Sequence, residues 1–305
     1  LFQQVFAGQI DEVMQTNSYD KLLPSFTAWA DITDDFVVRF AASKSLTRPQ
    51  LTDLAPRVNI DVTRPSNLLA SGGNPNLKPF VSDNFDLSFE WYFREASFLT
   101  LGLFYKQVDD FIVSAAADEA FPIANADAIP EFLPNNEAIF SVRRPRNAES
   151  ARVRGLEISG QVVFDMLPSP FDGLGLTANA TFVSSNAELN TGAITQTFAL
   201  EGLGNSQNVV GFYEKGPVEF RVAYNRRAAF MQTLVAPVGG DPVFVKTFDQ
   251  IDVRGSYTFL ERYSVFFEGI NITKSKTQKH GRFENQITKL ENTGARYAFG
   301  VRAEF

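Results

Sequence analysis

The chain has 305 residues, a net charge of −7, no cysteine and one histidine, with 44% apolar and 21% charged residues. At roughly 150 residues per domain that length predicts one or two domains, and the balance of apolar to charged residues excludes a disordered chain. Missing thiols remove disulfide scaffolds, thiolate nucleophiles, zinc fingers and iron–sulfur clusters, a single imidazole leaves no multi-His metal site, and the acidic balance argues against nucleic acid as a partner.

Eleven segments alternate apolar and polar residues with a period of two, the mark of strands with one buried face. Their boundaries fall at about 21–31, 36–46, 81–93, 97–113, 152–165, 173–184, 207–213, 217–228, 247–259, 263–273 and 294–305. In NFDLSFEWYF, Phe85, Leu87, Phe89, Trp91 and Phe93 oppose Asn84, Asp86, Ser88, Glu90 and Tyr92. The C-terminal ARYAFGVRAEF sets Tyr297, Phe299, Val301, Ala303 and Phe305 against Arg296, Gly300, Arg302 and Glu304. Helical spacing is nowhere sustained for two turns, and no run approaches the roughly 18 apolar residues of a membrane helix.

The connections alternate strictly between short and long. Short ones are DITDD (31–35), REA (94–96), LPSPFDG (167–173), EKGP (214–217) and ER (261–262); long ones span roughly 47–80, 114–151, 185–206, 229–246 and 274–293. A soluble sandwich does not require that alternation, whereas a transmembrane barrel has tight periplasmic turns and long extracellular loops. The ionisable Glu90, Glu157, Arg221 and Arg302 sit in mid-strand, where a dry core would penalise each by several kcal/mol but a water-filled lumen would not. Thirty Phe at a mean hydropathy of −0.11 suit a lipid-facing wall with interfacial girdles. The expected fold is therefore all-β, an antiparallel transmembrane β-barrel.

Most short motifs read as ordinary loops. GGNPNLKP (72–79) lacks the Gly-Lys-Ser/Thr ending of a phosphate loop and predicts a turn-rich connection. His280, in a Lys-rich stretch, is expected to be a solvated loop histidine. Asp34–Asp35 and Asp109–Asp110 are expected to be solvated charges rather than acid/base pairs, and Asn271-Ile272-Thr273 is expected to lie within a strand. Arg143, Arg144, Arg146, Arg152 and Arg154 concentrate positive charge in an acidic chain. They are either a contact for lipopolysaccharide or another anion, or paired with Glu149 and neighbouring loop acids.

The segments 19–56, 71–93 and 104–112, followed by RVRGLEISGQ (152–161), YEKGPVEFRVAYNRR (213–227) and ARYAFGVRAEF (295–305), resemble the barrel of TonB-dependent outer-membrane receptors. The similarity is to the branch common in Caulobacter- and Xanthomonas-like bacteria. It implies a barrel of about 22 strands around a plug, and import of an extracellular solute driven by TonB and the inner-membrane energising complex. No plug, TonB box or signal peptide is found in the chain. The eleven segments then imply the C-terminal half of the barrel, and residues 1–18 the tail of an extracellular loop. The resemblance also implies that Tyr297, Phe299, Val301 and Phe305 signal to the barrel assembly machinery. Asn84, Asp86, Glu90, Glu157, Arg221 and Arg302 are the candidate lumen-lining residues. No cofactor, metal or catalytic residue is expected. The alternatives are a passive porin-like channel and an outer-membrane hydrolase, for which His280 would be the sole imidazole base.

Overall fold

This computed structural model of the chain describes residues 16–61, 68–122, 137–148, 150–190, 195–198, 200–234, 241–260 and 262–303. Its strands, in chain order, begin with β1 (Ser25–Thr33), β2 (Phe36–Thr47), β3 (Val58–Asp61), β4 (Leu69–Gly72), β5 (Phe80–Arg94), β6 (Ser97–Asp109) and β7 (Ile112–Pro122). There follow β8 (Glu137–Asn147), β9 (Ser150–Val163), β10 (Leu174–Asn190), β11 (Thr195–Phe198), β12 (Ser206–Lys215), β13 (Val218–Arg227) and β14 (Phe230–Thr233). The last are β15 (Val243–Val245), β16 (Phe248–Phe259), β17 (Tyr263–Ile270), β18 (Thr277–His280), β19 (Ile287–Glu291) and β20 (Arg296–Ala303).

Eleven of these strands form one continuous antiparallel wall in the order β1-β2-β5-β6-β9-β10-β12-β13-β16-β17-β20, with β11 paired to the upper part of β10. Each corresponds to one of the eleven segments expected from periodicity. Among the described residues β1 and β20 are the two edges of this sheet. The register explains the wall's two faces, since residues directly opposite across a ladder share a side. Leu87, Leu103, Leu156 and Phe182 line up across β5, β6, β9 and β10 on one face. Ser88, Gly102, Glu157 and Thr181 line up on the other.

Two expected segments end early, for local reasons. The strand expected to reach about residue 113 stops at Asp109, because Asp110 takes a left-handed conformation (φ 58°) and turns the chain into β7. Asn147 fixes that corner: its Nδ2 donates to the carbonyls of Asp110 (2.7 Å) and Lys78 (2.9 Å). The segment expected to reach about 273 stops at Ile270. Asn271, with φ 54°, is thus in a turn and not in a strand as expected. Its buried side chain accepts from the Ser275 N–H (2.8 Å) and donates to the Gly294 carbonyl (3.2 Å), supplying the turn's missing backbone partners.

The long connections carry structure that periodicity did not announce. Those after β2 and β6 combine into a four-stranded sheet, β3-β4-β8-β7, which includes a parallel β4–β8 pair. Those after β13 and β17 combine into a second, β14-β15-β18-β19. Every buried apolar side chain among the described residues lies in these connections or at the adjoining strand ends, with Phe140, Val142 and Leu77 at 0%, 0% and 1% exposure. Phe121 meets Phe140 edge-to-face at 5.5 Å. Among the described residues the middle of the wall has no such core; Leu101, Leu103, Ile158, Leu176, Phe220 and Val265 are all exposed there.

Glycines on the polar face make room for aromatic rings. The rings of Phe212 and Phe266 lie over Gly175 and Gly300, their direct cross-strand partners, where any Cβ would overlap them. The ring shields backbone that a glycine leaves bare, a known device in curved sheets.

Candidate functional site

The polar face of the wall is the first candidate surface. Asn84, Asp86 and Glu90 project from β5, Glu157 from β9, Arg221 from β13 and Arg302 from β20, and the register puts all six on this one face. They do not converge on a point. The acids gather toward β5 and β9, while Arg221, Arg254 and Arg302 gather toward β13, β16 and β20.

Their surroundings separate fixed groups from available ones. Asn84 is buried and fully engaged: its Nδ2 donates to Ser45 Oγ (3.1 Å), and its Oδ1 accepts from Ser82 Oγ (2.9 Å) and Lys106 Nζ (3.3 Å). Glu90 accepts from Arg39 Nε (2.8 Å), Tyr92 Oη (2.9 Å) and Ser88 Oγ (3.3 Å). Arg221 pairs with Glu214 and lies 6.0 Å from the centre of the Phe212 ring. Asp86 and Glu157 are exposed. Arg302, also exposed, lines a polar hollow of about 160 Å³ with Arg254, Arg262, Glu219 and Ser264. Hydrogen bonds thus hold Asn84 and Glu90 in place, while Asp86, Glu157 and Arg302 stand exposed.

The arginine cluster divides in two. Arg143, Arg144 and Arg146 belong to β8 in the first connection sheet. Glu119 of β7 holds both Arg144 (2.7 Å) and Arg146. This is the pairing with a loop acid that the sequence left open; Glu149 lies outside the described residues. Arg152 and Arg154 instead rise from β9 on the apolar face, across from Gln107 and Tyr105 on one side and Asn186 and Ser184 on the other. Sequence reading missed these neighbours, because only the cross-strand register brings residues so far apart in the chain together.

Other positions resolve simply. Tyr297, Phe299 and Val301 are exposed on the apolar face of β20 (57%, 77% and 70%), whereas Phe305 lies outside the described residues. His280 is not the solvated loop residue expected: it is buried in β18, stacked on Phe244 at 5.4 Å. The Lys-rich stretch folds against β15, and the ring fills that junction. Residues 72–79 form the turn-rich connection expected, pinned by buried Leu77 and by Asn74 Nδ2 donating to the Pro145 carbonyl (3.0 Å). Asp34–Asp35 sit in the β1–β2 turn, and Lys78 approaches Asp110 at 3.9 Å. At the opposite end from the long connections, Lys215 donates to Asp172, which holds that carboxyl below its ordinary range. Lys289 does the same for Glu291 in β19. No group of three or more His, Asp or Glu among the described residues could hold a metal.

Comparison with known proteins agrees with this geometry. The family model described as TonB dependent receptor-like, beta-barrel matches residues 5–272. None of the curated proteins compared matches. Among solved structures, the siderophore receptor PirA of Acinetobacter baumannii superposes with a TM-score of 0.61 at 18% identity, over 93% of this chain and 41% of PirA. The ferric enterobactin receptor PfeA of Pseudomonas aeruginosa gives 0.65 at 15% identity, over 93% and 40%. The FrpB iron transporter of Neisseria meningitidis gives 0.61 at 14%, over 93% and 38%. The chain thus spans about two fifths of the length of these relatives.

Proposed function

The chain belongs to the TonB-dependent receptor β-barrel family, and we propose that it forms about half the wall of an outer-membrane importer. The observation that carries this reading is the two-faced eleven-strand wall, with short turns at one end and folded long connections at the other. Its apolar face suits lipid and its charged face a water-filled lumen. Further strands pairing with the edges β1 and β20 would close the lumen around a plug.

The work of such a wall is containment and selection, with no covalent chemistry. An extracellular solute meets the connection sheets first, then the polar face, where Asp86, Glu157 and Arg302 remain open to it. TonB and the energising complex of the inner membrane supply the force through the plug. The solute is a siderophore–iron complex or a carbohydrate. The names of the structural neighbours support the first, and the free arginines of the polar face suit an anionic chelate. On β20, Tyr297, Phe299 and Val301, followed by Phe305, serve as the signal read by the barrel assembly machinery.

Uptake tests this reading. Cells carrying the full-length protein should accumulate a radiolabelled ferric siderophore or labelled oligosaccharide only when TonB is present, while surface binding persists without it. Accumulation independent of TonB would favour a passive channel instead. Deleting Phe305 should lower the amount of heat-modifiable barrel in the outer membrane; an unchanged amount would remove the assembly role.

A further inference from the structure

One line of side chains on the polar face differs from the lines beside it. Successive ladder partners carry it across six strands: Thr100 of β6 faces Ser159 of β9, Ser159 faces Asn179 of β10, and Asn179 faces Asn208 of β12. Asn208 then faces Asn225 of β13, which faces Gln250 of β16. Neighbouring strands stand about 4.8 Å apart, so the line runs about 24 Å along the wall. It also climbs, from near the short-turn end of β6 at Thr100 to near the long-connection end of β16 at Gln250, as strand tilt in a barrel requires. Every member is uncharged and able to hydrogen-bond. The next line toward the short turns is broken by Val210 and Ala223, and the next line the other way by Gly102 and Phe248. Those two lines also carry Asp252, Glu157 and Arg227. Within the uncharged line, Asn208 Nδ2 donates to Asn179 Oδ1 (2.8 Å) and Gln250 Nε2 to Asp252 Oδ1 (2.6 Å). Among the described residues Asn179 Nδ2, Asn208 Oδ1, Gln250 Oε1 and both ends of the Asn225 amide take no partner.

We propose that this line is a binding track for a neutral, hydroxyl-rich solute, the chemistry of a linear oligosaccharide. An amide presents a donor and an acceptor side by side, and a sugar hydroxyl both donates and accepts, so four amides in succession match a run of hydroxyls. A charged chelate would need cations, and the line contains none. Its one charged continuation, Glu90 across from Thr100, is already held by Arg39 at 2.8 Å. Aromatic rings flank both ends: Phe248 lies two residues from Gln250 on β16, and Tyr92 and Phe98, 6.4 Å apart, lie beside the Glu90–Thr100 end. The negative face of such a ring suits the C–H side of a sugar while the amides take its hydroxyls. Each hydrogen bond is modest in net worth and the next partner is one strand away, so a solute can exchange them singly as it descends from the mouth.

This inference rests on the polar face lining an importer's lumen, and its test separates the two. Cells carrying the full-length protein, with and without TonB, are given radiolabelled maltohexaose, cellohexaose or N-acetylchitohexaose, all neutral, or ferric enterobactin, an anionic chelate. At least one hexasaccharide should accumulate when TonB is present, and the N208A/N225A double variant should take it up about tenfold more slowly. Asn225→Gln, which keeps the amide, should retain most of the uptake, whereas Asn225→Asp, of the same shape but without the donor, should lose about threefold. Heat-modifiability shows whether each variant assembles, and Asn225→Asp carries the test if the double variant does not. Accumulation of ferric enterobactin alone or of no hexasaccharide, or undiminished hexasaccharide uptake in the assembled variants, would overturn the track. Failure of a water-soluble maleimide to label Asn225→Cys in outer-membrane vesicles would instead overturn the reading of this face as the lumen.

Discussion

The wall and the sheets built from its long connections use the same alternating chemistry under opposite conditions. In the β3-β4-β8-β7 sheet the apolar side is covered, and Phe140 and Val142 are removed from solvent altogether. On the wall the equivalent side is a broad field of exposed Leu, Phe, Val and Tyr with no layer behind it among the described residues. Alternation specifies which residues share a face but not what that face meets; the protein supplies the cover in one region, and in the proposed function lipid supplies it in the other. The two regions should therefore respond differently to the same kinds of change.

The largest effect is expected in the connection sheet. Phe140→Ala removes a fully buried ring and should cost about 3–5 kcal/mol there. Hydrogen exchange on the full-length protein should show lost protection in β7 and β8 with the wall strands unchanged; loss throughout the wall would mean the two regions fold as one unit. Next comes Leu101→Arg on the apolar face, expected to cost about 2–4 kcal/mol in denaturant titrations of vesicle-inserted protein. The same change at exposed Leu51 in a long connection should fall within about 0.5 kcal/mol. Equal effects would erase the distinction between faces and loops. Gly175→Val, beneath the Phe212 ring, should cost about 1–3 kcal/mol by overpacking, with Phe212→Ala partly restoring the loss in the double variant.

The smallest is a pH effect at the short-turn end. Lys215 holds the Asp172 carboxyl below its ordinary value, so this pair contributes fully above the unfolded carboxylate range of about 4 and is lost as pH falls through the lower folded value. Asp172→Asn should leave stability between pH 5 and pH 7 lower by a small constant amount, with the difference from wild type vanishing in stronger acid. A difference that grew in acid would contradict the assignment.

How much of this was legible in the sequence follows the same division. All eleven wall strands could be found, because strands of 8 to 17 residues with one apolar face repeat the pattern often enough to identify them. The connection sheets could not. Several of their strands, such as Val58–Asp61 and Thr277–His280, are only four residues long and acquire partners from distant connections. His280 was misjudged for that reason: polar neighbours in sequence concealed an apolar neighbour in space. The arginine cluster was visible as charge, but its division between Glu119 and the apolar face depended on which strand each residue joined. Asn271 shows a further limit, since its left-handed turn interrupts a segment that the pattern would continue.

The central claim is that one face of the wall meets water and the other lipid, and the absence of cysteine from this chain allows a direct measurement. Three adjacent pairs straddle the wall: Asp86 and Leu87, Glu157 and Ile158, and Val301 and Arg302. Each is changed singly to cysteine in the full-length protein and challenged in outer-membrane vesicles with a water-soluble maleimide and with a lipid-soluble one. Asp86, Glu157 and Arg302 positions should react with the water-soluble reagent, and Leu87, Ile158 and Val301 positions only with the lipid-soluble one. Equal labelling within the pairs, or the reverse order, would contradict the account.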